Sequence, residues 1–176
     1  MGYCGGEAAD PTYKLVCSDP QYDDYAEAIQ VEFDPTVLSY EQVLEAFFRM
    51  HDATRGGRSR QYSSIIFAHD ASQHAAAERA LAANPRSTTL LEAAQPYWIA
   101  EPYHQKWILQ RKRELFLSLG MCDVAELLGP SATVLNAVAS GKLPGRIALD
   151  RLEKLMMQGE LTAAAHGAVA ALIDPF

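Results

Sequence analysis

Cysteine is scarce in this chain: Cys4, Cys17 and Cys122 only, an odd number with no Cys-x-x-Cys pair. That excludes a disulfide framework and fits reduced thiols in a reducing compartment. No apolar run approaches the ~20 residues that a membrane span needs. The start, MGYCGGEAAD, lacks the basic and apolar regions of a signal peptide, and Gly6 stands where a myristoylation signal wants Ser or Thr. Positive charge is also short. Fifteen Lys and Arg face 22 Asp and Glu, a net charge of −7 with a pI near 5.2. Such a surface repels nucleic acid and anionic membrane, so neither is expected as a partner. Internal repeats and low-complexity tracts are absent as well.

What is present is a globular composition, 49% hydrophobic and 21% charged over 176 residues, enough for one domain plus a helical appendage. Residues 1–10 are Gly-rich and read as a loop. Pro11-Thr12-Tyr13 leads through an acidic loop to Ala26–Phe33, whose alternation reads as a strand. The two-residue period puts Glu27 on one face with Ile29, Val31 and Phe33. Two readings stand: a carboxylate at a frayed strand end reaching water, or a partly buried carboxyl held ready as a proton donor.

Ser39, with Gln42 three residues on, makes a capping box for a helix ending near His51-Asp52. Gln61–Ala68 reads as a second strand. Asp70 caps a helix over Ala71–Ala83, and Thr88–Glu92 reads as a third strand. Tyr97–Ala100 fits strand or loop, and Pro102 opens a helix over Tyr103–Leu117. This alternation gives an α+β fold, a small mixed sheet with helices packed against it. After Gly120 strands vanish, and Ser131–Ser140, Ile147–Gln158 and Leu161–Leu172 read as short helices. The expected domains are therefore 1–118 and a helical subdomain over 119–176. The five scattered histidines show no ligand spacing, so neither a metal nor another cofactor is expected.

Seven motifs then occur in order: Gly2-Tyr3-x-Gly5-Gly6, Pro11-Thr12-Tyr13-x-x-Val16-Cys17-Ser18, Ala26-Glu27-x-x-x-Val31-x-Phe33-Asp34-Pro35, Ser39-Tyr40-Glu41, His51-Asp52-x-Thr54, Gln61-Tyr62-x-Ser64-x-Ile66, and Ala100-Glu101-x-Tyr103-His104-Gln105. Together, over residues 2 to about 117, they resemble the A-type peptide methionine sulfoxide reductases. The resemblance implies a ferredoxin-like reductase core and reduction of the S epimer of methionine sulfoxide, a protein-repair activity under oxidative stress. It implies that a thiolate attacks sulfur and becomes a sulfenic acid, that a resolving cysteine forms a disulfide, and that thioredoxin reduces it. On that resemblance Glu27 is the general acid, and Tyr13 and Tyr62 hydrogen-bond the sulfoxide oxygen. His104 and Glu101 take a structural or pocket-wall role.

Departures matter as much. The family's Gly-Cys-Phe-Trp-Gly nucleophile motif is absent, so the resemblance marks an N-terminally truncated copy with no nucleophile of its own. Residues 55–60 lack the family's Gly-Asn-Asp-x-Gly segment, and Tyr25 replaces a histidine. Neither Cys4 nor Cys17 has a basic neighbour that would clearly activate it; Cys122 is the candidate resolving thiol. The expectation is thus a peptide-methionine (S)-S-oxide reductase by family, cytoplasmic (or organellar with a longer precursor) and monomeric. The alternative is a catalytically inactive methionine-sulfoxide-binding or interaction module.

Overall fold

The computed structural model describes residues 1–118 and 124–173. They pack as two compact units, Met1–Ala100 and Glu101–Phe176.

In the first unit, β1 (Gly2–Cys4) is the centre of a three-stranded antiparallel sheet, flanked by β2 (Ala26–Ala28) and β5 (Trp98–Ile99). This corrects the loop expected at residues 1–10. The Gly-rich start forms a strand because partners on both sides take up its backbone hydrogen bonds. Gly6, just beyond it, must stay glycine. A Cβ there would lie 2.2 Å from the Tyr25 ring.

β2 is shorter than the strand expected over residues 26–33. Gly2 pairs with Ala28, so β1 offers no partner beyond that point. Ile29 and Val31 are consequently 67% and 50% exposed rather than buried. Glu27 pairs with Tyr3 and is half-buried, while its neighbour Ala26 is buried. Tyr3 is buried with Val16, Tyr25 and Ala100. Tyr25, at the family's histidine position, donates its hydroxyl to the Ala8 carbonyl at 2.5 Å.

α1 (Tyr13–Ser18) falls where an acidic loop was expected to begin. Thr12 caps it, accepting from the Leu15 amide at 3.4 Å. Six residues are too short for a helical period to show in the sequence. α2 (Tyr40–Met50) carries both hydrogen bonds of the Ser39–Gln42 capping box. β3 (Ile65–Ala68) pairs in parallel with β4 (Leu90–Ala93), and α3 (Ala71–Ala83), capped by Asp70, connects them. The strands divide between two small sheets, one antiparallel and one parallel, with helices packed against them, in keeping with the expected α+β class. Residues 61–62, expected in a strand, instead belong to a 3-10 turn, Arg60–Tyr62. Leu44, Ile66, Ala76 and Ala77 make the core between α2, α3 and β3.

The second unit is helical. Pro102–His104 is a 3-10 turn, followed by α4 (Trp107–Arg111) and α5 (Arg113–Ser118) in place of one continuous helix. α6 (Val124–Leu128), α7 (Pro130–Ala139), α8 (Gly145–Met157) and α9 (Ala163–Ile173) complete it. Composition changes after Gly120, but packing changes earlier, because Leu109 of α4 is buried with Leu135, Leu152 and Val169. Lys106 precedes α4 in the left-handed region and supplies no side-chain cap; Asn136 of α7 accepts from the Leu109 amide at 3.0 Å instead.

Candidate functional site

α1 presents Tyr13 and Cys17 four residues apart, hence on one side of the helix. Val16, between them in the chain, is buried in the Tyr3–Tyr25 cluster. The Tyr13 phenol is held above its usual pKa first by a hydrogen bond with the Cys17 thiol. The negative charges that Cys17, Tyr62 and Glu27 can carry add to this. Tyr62 is also raised, by desolvation and then by Glu27 and Cys17. Both phenols therefore keep their protons at neutral pH and can donate them to an oxygen acceptor.

Gln61 joins these groups. Its side chain is 8% exposed, and its amide nitrogen donates to Glu27 Oε1 at 2.8 Å and to Cys17 Sγ at 3.2 Å. The arrangement brings Tyr13, Glu27 and Tyr62 into one electrostatic neighbourhood. It also adds Gln61 and Cys17, whose part in the site sequence reasoning missed. Gln61 stood beside Tyr62 in a motif, but no local rule says that its amide reaches β2. The spacing of Tyr13 and Cys17 was available as a signal once a helix was recognised there.

Tyr13 is 39% exposed and Tyr62 is 56% exposed, so the site opens to solvent. From it runs an open groove of about 1090 Å³, whose lining includes Glu27, Gln61 and Tyr62 at the polar end and Val31, Phe47 and Met50 beyond. His51 also lines it. Nδ1 donates to the Phe47 carbonyl at 2.8 Å, which leaves Nε2 to accept from Ser64 Oγ at 2.8 Å. Ser64, two residues after Tyr62, also bonds Thr89 at 2.8 Å.

Of the other cysteines, Cys4 is buried and bonds the Gln95 carbonyl at 3.6 Å. Cys122 lies outside the described residues. Glu101, Tyr103 and His104 belong to the second unit, where His104 Nε2 stands 3.8 Å from Glu101 Oε2. Among the described residues no three His, Cys, Asp or Glu side chains converge to hold a metal ion.

A thiol, a carboxyl and two protonated phenols held around one buried amide make a site for proton and sulfur chemistry on a small polar group. The sequence comparisons give the family of the chain. Residues 1–122 match the family model described as peptide methionine sulfoxide reductase. The peptide methionine sulfoxide reductase MsrA of Haloquadratum walsbyi is 41% identical over 116 residues, 60% of this chain and 66% of that protein. That of Nitrobacter winogradskyi is 40% identical over 120 residues, covering 61% and 64%. That of Escherichia coli strain SMS-3-5 is 35% identical over 146 residues, covering 74% and 66%. The chain belongs to the peptide methionine sulfoxide reductase family. It spans just under two thirds of the length of these relatives.

Proposed function

We propose that this chain binds methionine S-sulfoxide in proteins and takes part in its thiol-dependent reduction, the activity of a peptide-methionine (S)-S-oxide reductase. One observation carries the reading. Gln61 holds the Glu27 carboxyl beside two phenols that retain their protons, in a chain of this family. A sulfoxide oxygen leaves poorly until it is protonated, and a positioned carboxylic acid supplies that proton. Tyr13 and Tyr62 donate to the same oxygen as charge develops on it.

Reduction also needs a thiol to attack sulfur. The family's Gly-Cys-Phe-Trp-Gly motif does not occur in this sequence. The acid side of the reaction is therefore assigned to residues here, and the attacking thiol is not. Thioredoxin is the proposed reductant of the resulting oxidised thiol, and Cys122 a resolving cysteine. A monomer in a reducing cytoplasm suits the acidic, cysteine-poor chain. Among the described residues no helix is long and apolar enough to cross a membrane.

The test uses N-acetyl-methionine sulfoxide, as separate S and R epimers, with the purified chain and dithiothreitol. The S epimer is expected to bind in preference to the R epimer, and any turnover is expected to fall roughly 100-fold or more in Glu27→Gln. Equal, Glu27-independent behaviour of the two epimers would sink the proposal. Binding of the S epimer without turnover would leave the alternative, a sulfoxide-binding module, in its place.

A further inference from the structure

Arg60 ends the 55–60 segment that lacks the family's Gly-Asn-Asp-x-Gly, and its side chain is not an exposed loop charge. Its guanidinium makes a two-pronged ion pair with Glu92 on β4, Nη1 to Oε1 at 2.8 Å and Nη2 to Oε2 at 2.7 Å. Its Nε donates to the Asp24 carbonyl, three residues before Glu27. Both side chains are mostly covered, with 27% and 30% of their surface exposed. The Asp24 carboxylate accepts the Glu7 amide at 3.0 Å, which ties the same loop to the Gly-rich turn. That turn makes room for the guanidinium. Gly5 has φ +94°, and a Cβ on it would lie 2.8 Å from Arg60 Nη2 and 3.0 Å from the Phe67 ring.

We propose that the Arg60–Glu92 pair is a positioning device that sets the distance between the Arg60–Tyr62 turn and β2, and so holds Gln61 on Glu27 and Tyr62 over the sulfoxide pocket. The inference rests on the functional reading above for its purpose, but not for its geometry. One end of the clamp is the backbone just ahead of Glu27. The other is β4, paired along its length with β3, which starts three residues after Tyr62. Arg60 begins the turn whose next two residues are the amide donor and the phenol. A planar guanidinium can bond a carboxylate with two prongs and a carbonyl with its third nitrogen, whereas an ammonium cannot hold all three in a fixed plane. The ion pair also raises the Arg60 pKa and lowers that of Glu92, so both stay charged through the neutral range.

The full chain is compared as Arg60→Lys, as Glu92→Gln and as the double variant Arg60→Met with Glu92→Met, which leaves no unpaired charge if a single change fails to fold. The readout is the Gln61 side-chain amide protons by nuclear magnetic resonance, their chemical shift and exchange rate, with thermal unfolding alongside. The expected result is a moved and faster-exchanging Gln61 amide in all three, while the α3 backbone signals stay in place. The dissociation constant for N-acetyl-methionine-S-sulfoxide is expected to rise about tenfold, the loss of one well-aimed hydrogen bond. An unchanged Gln61 amide together with a lower Tm would overturn the proposal and leave the pair a structural brace only. If the wild-type chain binds no sulfoxide, the functional reading fails, while the Gln61 signals still decide the positioning role.

Discussion

Gln61 uses both hydrogens of one amide, one toward a carboxylate and one toward a sulfur. Glutamine suits this place because it donates without adding charge beside Glu27. Replacing it by leucine keeps the buried volume but strips Glu27 and Cys17 of their shared donor. Gln61→Leu is expected to destabilise the chain by about 1–3 kcal/mol, measured by urea unfolding, and to weaken sulfoxide binding. Tyr25 illustrates the opposite case, a departure from the family absorbed by the fold. It is 1% exposed, its ring stacks on Tyr22 and its hydroxyl finds a carbonyl, so the position is spent on packing.

Among the elements, the helix starts carry measurable energy. Ser39 accepts from the Gln42 amide at 3.3 Å, while the Gln42 side chain accepts from the Ser39 amide at 2.9 Å. Ser39→Ala is expected to cost about 1 kcal/mol, read as a lower Tm with the Tyr13–Glu27–Tyr62 site intact. α2 reaches the groove through His51, which follows its last residue and bonds Ser64. The short strands show the other side of the same physics. β2 pairs over three residues only, so residues after Ala28 leave apolar side chains on the groove instead of in a core.

Across the whole molecule, each unit has apolar core clusters of its own, and the first adds the partly buried Arg60–Glu92 ion pair. Glu92 is held below the usual carboxylate range, first by its hydrogen bonds from Arg60. In the unfolded chain that carboxyl takes up its proton near pH ~4.3. Unfolding therefore takes up a proton at mildly acidic pH, and the contribution of the pair is present above that range and lost as pH falls through it. Urea midpoints of the wild-type chain should drop between about pH 5 and 3, and Glu92→Gln should start lower and fall less steeply. Asp34 and Asp52, held low by the Thr36 and Thr54 side chains, keep some slope in that variant. In the second unit, Leu152 is fully buried with Leu135 and Val169. Leu152→Ala should cost about 2–5 kcal/mol there, visible as faster amide exchange across α8, with sulfoxide binding retained.

The features legible in the sequence are those with local causes. The Ser39 box and the Asp70 cap each close a hydrogen bond over three residues, so they are written within one turn of chain. Glu27 stands out in the sequence because a carboxyl among alternating apolar residues breaks the pattern around it, but the strand ends at Ala28, so Ile29 and Val31 form no apolar face with it. What only the tertiary structure decided joins distant residues. Gln61 reaches Glu27 across 34 positions, and Arg60 reaches Glu92 across 32. The Gly-rich start became a central strand for the same reason: its partners lie more than 20 and more than 90 residues away. A three-residue strand has too few side chains to announce itself, and its backbone bonds form only when both neighbours arrive. Glu27, the proposed acid, was thus singled out in the chain, and the Gln61 amide and the Arg60–Glu92 pair packed near it were supplied by the fold.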